Sequence, residues 1–118
     1  MDAQETEAFA REWVQAWNRR DLDSVVSHYT EDVEFRSPLV VKLLGEPSGT
    51  VQGKQSLRAY FRKALAAFPG DLELQLLGVY QGLDSLLVQF QAKGRKAVEV
   101  MELNQEGKIR RALTFGQA

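Results

Sequence analysis

Apolar residues follow a helical period in the first half of the chain and alternate in the second. Phe9, Trp13 and Trp17 recur every fourth residue, with Ala10, Val14 and Ala16 beside them, so a helix over about residues 3–19 carries an aromatic face. Asp2, Glu5 and Glu7 at its start and Arg19 and Arg20 at its end complement the helix dipole. Asp21 is placed to cap a second, shorter helix running to about Tyr29, with Leu22, Val25, Val26 and Tyr29 on one side and His28 elsewhere. The period then becomes two, with Val33, Phe35 and Ser37 on one face and Glu34 and Arg36 on the other. Pro38 has no N–H for a sheet ladder, so this strand is expected to stop or become an edge there. Leu39 to Val51, which contains Gly45-Glu46-Pro47-Ser48-Gly49, reads as a short strand or rim segment followed by a loop. Gly53 precedes a third helix, Lys54 to Phe68, whose stripe is Leu57, Tyr60, Phe61, Ala64, Leu65 and Phe68. Pro69-Gly70 closes it.

From there the alternation persists. Leu72, Leu74 and Leu76 share a face, Gly78 interrupts, and Gln81-Gly82-Leu83-Asp84 connects antiparallel strands. Leu86, Val88, Phe90 and Ala92 alternate next, and Lys93-Gly94 turns the chain. Ala97 to Asn104 places Glu99, Met101 and Leu103 on one side and Val98, Val100 and Glu102 on the other. Gln105-Glu106-Gly107 turns again, and Lys108 to Phe115 is the last strand. Helices first and strands after predict an α+β fold, an antiparallel sheet covered on one face by about three N-terminal helices. The apolar residues on both faces of the late strands predict a homodimer through the sheet, scattered surface valines being the plain alternative.

Composition narrows the function classes. A chain of 118 residues fits one domain with one core, residues 1–118. Net charge near −1 with the basic pairs Arg19-Arg20, Arg95-Lys96 and Arg110-Arg111 scattered gives no electrostatic reason to expect nucleic acid or an anionic membrane. There is no cysteine, hence no disulfide and no thiolate site, which suits a cytoplasmic location. The acidic start Met1-Asp2-Ala3-Gln4-Glu5 is not a secretory signal, and no apolar run approaches the ~20 residues that span a bilayer. His28 has no second histidine or cysteine in range, and neither a metal-spaced cluster nor a phosphate-binding glycine loop is present, so no metal or cofactor is expected.

Several strings, in order, carry a resemblance: Trp13-Val14-Gln15-Ala16-Trp17-Asn18-Arg19-Arg20-Asp21-Leu22-Asp23, Tyr29-Thr30-Glu31-Asp32-Val33-Glu34-Phe35, the Gly53 that opens the third helix, Gly94-Arg95-Lys96 and Ala112-Leu113-Thr114-Phe115-Gly116. From about residue 8 to residue 116 the chain resembles the nuclear transport factor 2-like superfamily, and within it the ketosteroid isomerase and SnoaL-like polyketide cyclase branch. The resemblance implies a cone-shaped domain whose curved sheet wraps an apolar cavity closed by the helices, usually dimeric. The superfold hosts many reactions and members without catalysis, so each functional residue is carried over separately.

Where ketosteroid isomerases hold the proton-moving aspartate before a proline, this chain has Ser37 before Pro38. A serine hydroxyl with no adjacent base cannot take a carbon-bound proton near neutrality. The family's oxyanion tyrosine on the first helix matches Trp13, an indole that donates but does not titrate. Its second oxyanion group, a protonated aspartate, matches Glu99 across a short gap. Glu99 is therefore the candidate acid if its face is buried, where desolvation raises a carboxyl pKa. Reversed strand parity, or pairing with Arg36 or Arg111, would remove that role. Trp13, Trp17, Phe35, Ser37, Tyr60 and Met101 are the candidate ligand-binding residues. Three functions follow: a pocket protein with isomerase, cyclase or dehydratase chemistry on an apolar small molecule, a non-catalytic dimeric module that binds a ligand or a protein, or, if bulky side chains fill the cone, a purely structural oligomerisation domain.

Overall fold

The computed structural model describes residues 1–68 and 73–118. Helix α1 (Ala3–Asn18) opens on a reciprocal cap, the Asp2 carboxylate accepting from the Glu5 N–H and the Glu5 carboxylate from the Asp2 N–H. Helix α2 (Leu22–Val26) is capped by Asp21, as its position predicts, but ends three residues before Tyr29. Tyr29 instead begins strand β1 (Tyr29–Arg36). Two short elements follow, helix α3 (Pro38–Leu44) and strand β2 (Thr50–Gln52), and then helix α4 (Lys54–Ala67). Strands β3 (Leu74–Gln81), β4 (Ser85–Ala92), β5 (Arg95–Leu103) and β6 (Ile109–Gly116) complete the chain.

Helix α3 corrects the expectation of a strand or rim segment after Pro38. Proline at the first helical position gives up an N–H that has no intrahelical partner there, and its φ is already helical. Ser37 supplies the cap, its Oγ accepting from the Leu39 N–H at 3.2 Å. The helix closes at Gly45, whose φ of 68° is the left-handed stop that favours glycine. Leu72 and the Pro69-Gly70 closure lie outside the described residues.

The six strands form one curled, open sheet in the order β2-β1-β6-β5-β4-β3. Every neighbouring pair is antiparallel except β1 and β6, which run parallel. Register shifts interrupt β1 against β6 between Tyr29 and Glu34, and β3 against β4 between Leu76 and Gly78. Bulges of this kind bend and twist a strand, and they help this sheet curl.

The helices pack into the concave face. Phe61 on α4 meets Trp17, Tyr29, Phe35 and Tyr60 with ring centroids 4.8–5.6 Å apart, mostly edge to face. Burying one such ring contributes about 1.5–3 kcal/mol. The end of α1 is tied to the far side of the fold. The Asn18 amide brackets the Leu74 backbone, donating to its carbonyl at 2.9 Å and accepting its N–H at 2.7 Å. Arg20 is not merely solvated: its guanidinium donates to the carbonyls of Leu65 and Phe68, satisfying the C-terminal end of α4. Among the described residues no helix is long and apolar enough to cross a membrane.

Candidate functional site

The concave face of β5 sets the site. Glu99 stands there on the same side as Ala97 and Met101, directly across from Val88 on β4 and Thr114 on β6. It is 3% exposed, so the strand parity points its carboxyl inward. Both carboxylate oxygens are engaged: Tyr29 donates its phenol proton to Oε2 at 3.0 Å, and Thr114 donates to Oε1 at 3.2 Å. Trp13 donates its indole N–H to the Tyr29 oxygen at 3.1 Å, completing a buried chain of donors that ends on Glu99. The cationic partners considered from sequence are spent elsewhere. Arg111 pairs with Glu34 and Glu102 on the other face, and Arg36 donates to the Ser48 carbonyl.

Electrostatics follow from burial. Desolvation raises the Glu99 pKa to about 7, and the hydrogen bonds from Tyr29 and Thr114 offset only part of the rise. Burial also drives the Tyr29 phenol well above its ordinary value, with the Glu99 charge adding to the effect, so Tyr29 stays a proton donor. Tyr60 is pushed up to about 12, mainly by desolvation, while the Ser37 hydroxyl facing it pulls the other way.

A cavity of about 150 Å³ opens between α1, α4 and the sheet. Trp13, Trp17, Phe35, Ser37, Tyr60 and Glu99, six of the residues singled out from sequence, all line it. Met101 does not: it is fully buried in the core behind the cavity, two residues beyond Glu99 on the same face. Phe61, Phe68, Phe90 and Leu39 contribute further apolar wall. The indole N–H of Trp17 is buried with no hydrogen-bond partner among the described residues. Leaving such a donor unpaired costs about 1–3 kcal/mol.

Ser37 is held from several sides. Its N–H donates to the Gly49 carbonyl at 2.9 Å, and a Cβ at Gly49 would stand 3.1 Å from the Ser37 carbonyl, so the approach requires glycine at a φ of 67°. His28 lies apart, half-buried, its ring N–H donating to the Ser24 carbonyl at 2.8 Å and its edge against Phe9. Tyr29 and Thr114 were missed by sequence reasoning. Tyr29 fits the apolar side of α2 equally well, and the exposed Glu31-Asp32 separates it from the alternation that begins at Val33. Thr114 carried a readable signal, since pairing the last two strands puts it opposite Glu99.

An α+β domain with a curled open sheet, helices on its concave face and a cavity between them has the nuclear transport factor 2-like fold. The SnoaL-like domain matches residues 10–112, and the chain belongs to that family. A SnoaL-like protein of unknown function from Burkholderia thailandensis E264 is 36% identical, covers 99% of this chain and 98% of its own, and superposes with a TM-score of 0.93. SalBIII, described as an epoxide hydrolase/cyclase-like enzyme of pyran ring formation in the polyether salinomycin, is 22% identical over 98% of this chain and 93% of its own, with a TM-score of 0.74. An NTF2-like protein of unknown function from Burkholderia pseudomallei K96243 is 20% identical over 95% of this chain and 90% of its own, with a TM-score of 0.76. The last two likenesses speak to fold alone. No curated protein matches the chain.

Proposed function

We propose that this protein binds an apolar small molecule in the cavity and uses Glu99 as its acid, in a cyclisation, dehydration, hydration or isomerisation. The observation that carries this reading is a lone carboxyl, buried on the wall of an aromatic cavity and poised near neutrality. A general acid works best with a pKa close to the operating pH, and burial supplies that here without a second ionisable group. The protonated carboxyl can donate to a carbonyl, hydroxyl or ether oxygen of the ligand while Tyr29 and Thr114 hold its oxygens in place. Steroid-type proton abstraction is excluded from the proposal because Ser37 has no base beside it and its oxygen already accepts from the Leu39 N–H.

The test is native mass spectrometry of the purified protein and of Glu99→Gln, followed by assay of the co-purified molecule. Retention of the ligand by both proteins with conversion only by the wild type supports the acid role. Equal conversion by both overturns it.

A second reading concerns the outer face and applies with or without catalysis. Tyr80, Leu87, Val100 and Leu113 lie opposite one another across β3, β4, β5 and β6, with Val98 and Phe115 beside them. We infer that a second copy of this chain covers this apolar row. Next to it Glu34 and Glu102 are matched by Arg110 and Arg111, so these four charges compensate one another beside the row. Sedimentation at micromolar concentration should give a dimer that Val100→Arg dissociates, and a wild-type monomer would sink the idea.

A further inference from the structure

The cavity continues outward into a wider apolar groove of about 760 Å³, and the two share Ser37, Leu39, Phe68, Leu74, Phe90 and Thr114. The inner chamber alone is the size of a void that holds one benzene ring, about 150 Å³, while ligand sites commonly measure about 300–1,000 Å³. A molecule that reaches Glu99 and is larger than one ring must therefore extend into the groove. Among the described residues the charge of that groove is one-sided. Lys42 on α3, Lys93 in the turn before β5, and Arg95 and Lys96 at the start of β5 line it, and no described residue of its lining is an aspartate or glutamate. Lys42, Arg95 and Lys96 have no ion-pair partner among the described residues. Among the described residues the Arg95 guanidinium donates to the Gln117 carbonyl, at 3.0 Å.

Arg95 and Glu99 stand on the same face of β5 four residues apart, a separation of about 13 Å along the strand. The site thus runs from a protonatable carboxyl at the inner end, through apolar wall, to cations at the mouth. We propose that its ligand is an amphiphile with an anionic group at one end, carboxylate or phosphate, held at the mouth by Lys42 and Arg95 while the apolar body fills the cavity. Low-dielectric walls focus the field of such a rim and favour one sign of ligand over the other. This rests on the reading of the cavity as a ligand site, and it adds the chemical class and the orientation of what enters.

The experiment titrates the full chain with decanol, decanoate and decyl phosphate, following tryptophan fluorescence at about pH 6, where a free aliphatic carboxylate is ionised. Decanoate is expected to bind about tenfold more tightly than decanol at low salt, equivalent to about 1.4 kcal/mol. About 1 M salt should shrink that advantage by screening the rim. The double variant Lys42→Gln, Arg95→Gln should lose the advantage while keeping its affinity for decanol, which shows that it is folded. Decyl phosphate exceeding decanoate would assign the anionic end to a phosphate ester, and the reverse to a carboxylate. Equal binding of decanol and decanoate overturns the anionic end and leaves the cavity as a ligand site. Failure of all three to bind overturns both.

Discussion

Glu99→Gln separates a poised buried acid from an inert core carboxyl by its effect on stability against pH. The folded protein holds the Glu99 proton up to about pH 7, against an ordinary value of 4.5, because burial penalises the charge. Between those values the folded state binds more protons than the unfolded one, so stability falls as pH rises through this window and levels off above about pH 8. A rise of that size corresponds to about 3 kcal/mol, present in full below the unfolded value and lost above the folded one. Glutamine cannot ionise and should remove this slope. Its amide can accept from only one of Tyr29 and Thr114, which costs about 1 kcal/mol at acid pH. The assay is urea unfolding of both proteins at about pH 5 and about pH 8, where the remaining carboxylates titrate alike in both and cancel. The wild type should be the more stable at the lower pH, and Glu99→Gln should match or exceed it at the higher. Parallel pH profiles would refute the burial argument.

Other changes probe the supports of the site. Tyr29→Phe strands the Trp13 indole N–H and removes a donor from Glu99; it should cost about 1–3 kcal/mol and move the Glu99 midpoint upwards, read by the same unfolding series. Phe61→Ala removes the ring shared by Trp17, Tyr29, Phe35 and Tyr60 and should cost about 3–5 kcal/mol in thermal or denaturant melts. Ser37→Ala should cost about 1 kcal/mol through loss of the α3 cap, read in the same melts.

What the sequence revealed and what it hid have physical causes. The aromatic spacing on α1, the stripe on α4 and the alternation from Leu86 onwards are periodic signals tens of residues long, and they placed most of the cavity wall. The alternation of β5 likewise put Glu99 and Met101 on one face, but parity alone cannot tell cavity wall from closed core, and Met101 lies in the core. Helix α3 was hidden because Pro38 reads equally as the end of a strand or the start of a helix, and only the Ser37 cap separates the two. The Trp13, Tyr29 and Glu99 chain joins residues up to 86 positions apart in sequence, and no local pattern announces such a contact. Arg20 was hidden for a similar reason, because its partners are backbone carbonyls on a distant helix.

The most direct test of the poised acid is the ionisation of Glu99 itself, followed by NMR of the side-chain carboxyl carbon in protein labelled at glutamate and assigned through Glu99→Gln. The account predicts one glutamate that titrates near pH 7, set apart from the rest, and moves upwards in Tyr29→Phe. A Glu99 signal that titrates with the exposed glutamates, near the ordinary value of 4.5, would contradict it.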